Sequence, residues 1–305
     1  MSAPGLARPP LSGPARASTR LSRLAAYVEL TKPNITWLIL MSTAVGYFFG
    51  ARSWEWWTVL HTVLGTGWIA SGTAALNQWS EREADARMRR TESRPIPSGR
   101  LSPTRALVFG TALSTAGFAE LVAGVNLLSG LLALFTLLSY LLVYTPLKQR
   151  SPHSTTIGAI PGAMPPMIGY AAASGTLTAE AWILFAILLL WQFPHFHAIA
   201  WMYRDDYARG GIRMLPVVEP DGVSTARQML IASAALVPVS LLPSWLSMSG
   251  QMYAAGALVL GVLFLYTAVR VASEKTLARA RGVLLASVVY LPALYGLMVL
   301  DRAGR

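Results

Sequence analysis

The chain has 305 residues, 54% hydrophobic and only 13% charged, with 25 Lys and Arg against 14 Asp and Glu, a net charge of +11 and no cysteine. A water-facing domain carries about a quarter charged residues, so this composition, with a mean hydropathy of +0.47, excludes an ordinary soluble fold and indicates a membrane protein. Disulfides and thiolate-bound metals are excluded with the cysteines.

Residues 1–24 mix Pro, Ser, Ala, Gly and Arg without an apolar run, which predicts a disordered basic N-terminal tail ahead of a single transmembrane domain over 25–305. The first apolar stretch is long enough to span, so an uncleaved anchor is expected rather than a removed leader. Crossing the hydrocarbon core takes about 20 mostly apolar residues. Nine segments meet that need: 34–51, 57–79, 105–126, 128–146, 155–174, 179–202, 226–248, 252–271 and 280–300. The fold class predicted is all-α, a polytopic membrane bundle of nine transmembrane helices. Gly158, Gly162 and Gly169 with Pro161, Pro165 and Pro166 predict a broken fifth span held inside protein rather than against lipid.

With the N-terminus inside, 22 of the 25 basic residues fall in inner segments, leaving Arg52, Arg302 and Arg305 outside. That asymmetry sets the predicted topology: N-terminus and the longer loops, 80–104 and 203–225, in the cytoplasm and C-terminus outside. It also explains the charge of +11 without nucleic acid as a partner. The site is expected at the cytoplasmic face, where the polar groups converge.

The second span ends in Asn77-Gln-Trp-Ser-Glu81-Arg-Glu-Ala-Asp85. Steps of four keep Asn77, Glu81 and Asp85 on one helical stripe, yet a rise of roughly 12 Å is too long for all three to grip one ion. A Mg²⁺ ion held by one or two carboxylates, with water and phosphate oxygens completing its shell, suits the spacing. The plainer reading is a solvated helix end with pairs such as Glu83 and Arg87. Arg82, Arg87, Arg89, Arg90 and Arg94 crowd the same stretch, and cations beside carboxylates are what a Mg²⁺–diphosphate site requires.

In the sixth span, Trp191-Gln-Phe-Pro-His195-Phe-His197 leads to Tyr203-Arg204-Asp205-Asp206-Tyr207-Ala-Arg209. A continuous helix would place His195 and Asp206 on nearly the same face, with His197 opposite. A lone His at a helix end is more often packed than functional, but here a His, two carboxylates and an Arg lie together. Tyr144-Thr-Pro-Leu-Lys148 at the inner end of the fourth span, and Lys32 before Pro33, read locally as basic anchors. Glu120, toward the outer side of the third span, reads equally as a packing partner or an acid and is left outside the site.

Together these stretches resemble the UbiA superfamily of intramembrane prenyltransferases, and within it the branch of protohaem IX farnesyltransferases. Asn77-x3-Glu81-x3-Asp85 is similar to the first acidic motif, with Glu where Asp is commoner. Met88-Arg-Arg90-Thr91, Arg94-Pro95, Tyr144-Thr-Pro-Leu-Lys148, Gly162-Ala-Met-Pro165-Pro166, Pro194-His195-Phe196 and Asp206-Tyr207 with Gly211-Ile-Arg-Met214-Leu215-Pro216 are similar to that branch. Asn34, in a place often basic, and Arg213, in place of a common Pro, depart from it.

The resemblance implies farnesyl diphosphate and protohaem IX as substrates and Mg²⁺ as cofactor. It implies metal ligation by Asn77, Glu81, Asp85 and one of Asp205 and Asp206, with Asp206 preferred. Asp85, Asp206, His195 and Lys148 would be catalytic. Lys32, Asn77, Arg90, Arg94, Tyr144, Lys148, His195 and Arg204 would bind diphosphate or haem. For His195 the sequence leaves orientation of the porphyrin, iron ligation and proton transfer open. The implied setting is the bacterial inner membrane, with haem A synthase or oxidase assembly proteins as partners. Two other readings compete: prenylation of an aromatic acid by the same machinery, and a transporter or haem carrier, for which broken helices also speak.

Overall fold

The computed structural model describes residues 15–302, helical apart from short connections and an antiparallel bridge between Ser249 and Arg302. In chain order the helices are α1 (Ala15–Leu30), α2 (Pro33–Gly50), α3 (Trp56–Ser80), α4 (Arg82–Arg87), α5 (Pro103–Gly124), α6 (Leu127–Leu147) and α7 (Ser154–Gly162). They continue as α8 (Pro165–Ser174), α9 (Ala179–Met202), α10 (Arg204–Arg209), α11 (Leu215–Val218), α12 (Val223–Trp245), α13 (Gln251–Ser273) and α14 (Leu277–Leu300). Among the described residues six helices, α5, α6, α9, α12, α13 and α14, are long and apolar enough to cross a membrane. Helices α2 and α3 and the α7–α8 pair lie where three further spans are expected but outside that set. The protein is an all-helical, multi-pass membrane protein.

The surface supports this. Leu131, Phe135, Leu138, Val259, Leu263, Leu285 and Val289 are exposed on three of the long helices, an apolar area that water would not tolerate. The interior is close-packed. A core of α2, α9, α12, α13 and α14 side chains includes Leu184, Ile187, Met229, Phe264 and Tyr290, and a second joins Ile69, Leu121, Ala133 and Met167 of α3, α5, α6 and α8.

Glycine permits the closest helix contacts, as small residues do between membrane helices. A Cβ on Gly46 of α2 would fall on the Pro166 carbonyl oxygen, and one on Gly169 of α8 would fall on that of Thr43. The chain breaks between α7 and α8, at Ala163 and Met164, inside this packing, as its Gly and Pro residues predict. Helix α6 widens to a π-helical turn over Ser139–Tyr144 before Pro146.

The tail predicted over 1–24 lies outside the described residues as far as residue 14. From Ala15 the chain is helical, and Ala26 and Leu30, one turn apart, are fully buried against Ala75, Ile96, Leu101 and Ala106. The Gln78 amide also donates to the Leu30 carbonyl at 3.0 Å.

Candidate active site

The connections after α3, α6 and α9 meet at one end of the bundle. The Arg213 amide donates to the Lys148 carbonyl at 2.7 Å, and the amides of Arg89 and Arg90 donate to the two carboxylate oxygens of Asp206 at 3.2 Å each. Three segments far apart in sequence thus share one cluster.

At its centre α3 delivers Asn77, 1% exposed, and Glu81, 8% exposed. Lys148 Nζ, just past α6, donates to Glu81 Oε1 at 2.8 Å and lies 4.6 Å from the Tyr144 ring centre and 5.9 Å from that of Tyr140. Lys32 Nζ donates to Asn77 Oδ1 at 3.1 Å, and Asn77 Nδ2 to Thr145 Oγ1 at 3.3 Å. Lys32 reaches in because its backbone adopts a left-handed conformation, φ 47°, at the turn from α1 into Pro33.

Asp85, 1% exposed, accepts from Arg94 Nη1 at 2.7 Å through Oδ2, and its buried Oδ1 has no hydrogen-bond partner. The Thr91 hydroxyl donates to the Asp85 carbonyl at 2.9 Å, folding the 88–102 loop back so that Arg94 returns to the carboxylate. Asp206 pairs with Arg209, one turn on. The Arg90 guanidinium sits 5.3 and 5.6 Å from the Tyr203 and Tyr207 ring centres.

The electrostatics follow from this crowding. Burial lowers Lys32 to about 7, with Arg94 and Lys148 adding repulsion against partial relief from Glu81 and Asp85. Burial alone would push the Glu81 carboxyl up, but the charge and hydrogen bond of Lys148, with Lys32 behind, hold it below its ordinary value. Lys148 itself is raised well above its own, since Glu81 and the two tyrosines outweigh burial. Burial works against the Asp206 carboxylate too, and the Arg90 and Arg89 amides with Arg209 overcome it, lowering its pKa. The cluster holds a surplus of cation: a receptacle for a multiply charged anion.

Asn77 faces Lys32, Glu81 faces Lys148, Asp85 faces Arg94 and Asp206 faces Arg209. Among the described residues no three His, Asp or Glu side chains gather as metal ligands. The run from His195 to Asp206 is not one helix: Tyr203 (φ −114°, ψ 22°) separates α9 from α10, so facing cannot be read across it. His195 lies apart, with Nδ1 2.8 Å from Ser287 Oγ of α14, while His197 Nε2 lies 2.8 Å from Gln228 Oε1 of α12. The two point to different helices, as their spacing of two requires. Arg204 stays at the rim, 37% exposed in its side chain, over the Trp201 ring at 4.6 Å with Asp205 at 3.8 Å.

Thr145, Tyr140 and Arg209 belong to the cluster and were not singled out from sequence. Arg209 was findable, three residues after Asp206. Tyr140 and Thr145 had no signal beyond lying beside Tyr144. Glu120 resolves to a contact between α3 and α5, its Oε1 2.6 Å from His61 Nδ1.

A helical membrane bundle with a cationic, carboxylate-bearing cradle at one end is built to receive a multiply charged anion beside an apolar interior. The sequence matches the UbiA prenyltransferase family over residues 39–289, and the chain belongs to that family. It is 65% identical to the protoheme IX farnesyltransferase of Solibacter usitatus, over 91% of this chain and 99% of the relative. Its fold is similar to that of a digeranylgeranylglyceryl phosphate synthase (TM-score 0.77, 18% identity, 92% of this chain and 98% of the other). It is similar also to a UbiA homologue from Archaeoglobus fulgidus bound to GPP and Mg²⁺ (TM-score 0.65, 14% identity, 90% and 99%).

Proposed function

We propose that this prenyltransferase moves the farnesyl group of farnesyl diphosphate onto a vinyl group of protohaem IX, with addition of water, to give haem O and diphosphate. The observation that carries the reading is the convergence of Lys32, Lys148 and Arg94 on Asn77, Glu81 and Asp85 at the end of an apolar bundle. The high identity to a relative named protoheme IX farnesyltransferase supports haem as the acceptor.

The chain's residues suit Mg²⁺: the donor set is all oxygen, and the buried, unpartnered Oδ1 of Asp85 is a ready site for a hard cation. Asn77, Glu81, Asp85 and Asp206 would supply metal ligands between them rather than converge on one ion, and metal when bound would offset charge on the diphosphate as it leaves. Lys148 and Lys32 offer N–H donors to the leaving oxyanion, a stabilisation felt most as the C–O bond breaks and its electron pair passes to diphosphate. The Tyr144 ring keeps Lys148 in place. Arg94 and Arg90 neutralise the outer phosphate oxygens, and Arg204 lies where the haem propionates approach the rim. The allylic cation then takes the vinyl electron pair, and water adds to the cation so formed next to the porphyrin, losing a proton. Apolar helix walls keep water from the first cation.

The 22-to-3 partition of basic residues supports nine spans in a bacterial inner membrane, the N-terminus and site loops cytoplasmic and the C-terminus outside. Residues 25–305 would form one catalytic domain, handing haem O to haem A synthase or oxidase assembly. Membranes containing the chain, supplied with farnesyl diphosphate, Mg²⁺ and haem, are expected to yield a haem with the mass of the hydroxyfarnesyl adduct. The adduct should vanish with EDTA and be absent when 4-hydroxybenzoate replaces haem. Prenylation of the benzoate instead would overturn the acceptor assignment.

A further inference from the structure

The geometry points to Ser287 as a positioning residue that fixes the tautomer of His195, so that His195 Nε2 is delivered as a nitrogen donor to the iron of protohaem; this rests on the haem reading above. A serine hydroxyl has one proton to give. Ser287 Oγ lies 2.6 Å from the Leu284 carbonyl oxygen, a separation two oxygens keep only with a proton between them, so the hydroxyl donates there. The same Oγ lies 2.8 Å from His195 Nδ1. Its proton is already committed, so in this second contact Oγ accepts and Nδ1 carries the hydrogen. In the neutral ring the lone pair is then on Nε2.

The ring is also locked in angle. Trp191, one turn earlier on α9, stacks on His195 at 4.7 Å between centres and 22° between planes. Trp191 Nε1 donates to the Ser287 carbonyl at 2.8 Å. Two side chains of α9 therefore grip one fully buried residue of α14, one by its hydroxyl and one by its carbonyl. A backbone-anchored partner on the far nitrogen is the usual way a protein aims a metal-binding imidazole.

The neighbouring histidine shows the contrast. His197 is 1% exposed, its Nε2 occupied by Gln228 and its Nδ1 sealed from solvent without a partner. His195 is only partly buried, and among the described residues its Nε2 makes no hydrogen bond. Of the two, only His195 presents a nitrogen lone pair to an incoming ligand. Coordination needs no proton transfer and leaves the iron's oxidation state unchanged.

The test is optical and resonance Raman spectroscopy of the purified full chain titrated with haem. The ferrous wild-type complex should show an iron–imidazole stretching band. His195→Ala should lose it, and added imidazole should restore it, which separates lost ligation from misfolding. Ser287→Ala should shift the band and weaken haem binding about tenfold, the usual scale for an imidazole's supporting partner. Ser287→Thr, which keeps an accepting hydroxyl, should retain both. A band that survives His195→Ala overturns the inference, as does a Ser287→Ala variant with unchanged band and affinity. A wild-type chain that binds no haem overturns the functional reading itself.

Discussion

At the scale of single residues, the site is a set of matched pairs, and removing either partner has a different consequence. Asp85 keeps one oxygen on Arg94 and one unpartnered, so Asp85→Asn removes the negative charge of the metal donor while preserving shape. It should lower the rate of prenyl transfer by about 10²- to 10³-fold at limiting Mg²⁺, the usual loss for a group that stabilises developing charge. A rate near wild type would remove Asp85 from the metal site. Arg94→Met instead leaves a buried carboxylate uncompensated. It should cost about 3 kcal/mol of stability, seen as a lower thermal midpoint in detergent, in addition to any loss of activity. Asn77, Glu81 and Asp85 were legible as neighbours by their spacing of four, although the structure separates α3 from α4 at Glu81 (φ −91°, ψ 5°). Their partners were not: Lys148 is 67 residues from Glu81, and no local pattern announces such a pairing.

At the scale of elements, membrane helices gain nothing from burying apolar side chains away from lipid, so close contact must come from small residues. The α2–α8 interface depends on Gly46 and Gly169, whose missing Cβ atoms leave room for the opposing backbone carbonyls. Backbone cannot step aside as a side chain can. Gly169→Ala should therefore separate the helices and destabilise the protein by about 1–3 kcal/mol, while Gly282→Ala, with open space around it, should be neutral. Equal midpoints for the two would refute this account of the interface. Glu120 belongs to the same scale. Its contact with His61 joins α3 to α5 away from the acidic cluster, so Glu120→Gln should leave prenyl transfer within about twofold of wild type, since charge loss outside the site touches no transition-state contact.

At the scale of the whole molecule, the topology makes a direct prediction that the absence of cysteine renders clean. Glu55 and Glu92 are both exposed, before α3 and after α4 respectively. In intact cells an impermeant thiol reagent reaching the outer face of the membrane should label Glu55→Cys and spare Glu92→Cys. The reverse labelling would place the charged cradle outside and end the proposed topology.

Membrane class, the helical segments and the break between Gly162 and Pro165 were all determined by the sequence. Each depends on composition or on spacing within one element, where geometry is set by covalent structure and the helical repeat. Tertiary structure alone decided that Ala26 and Leu30 of α1 pack against the bundle, that Glu81, Asp85 and Asp206 each face a cation, and that Tyr203 interrupts the run from His195 to Asp206. It alone brought Ser287 to His195. These depend on which helices pack together and at what distance, and that is a balance of contacts summed over the whole bundle that no local stretch of chain contains.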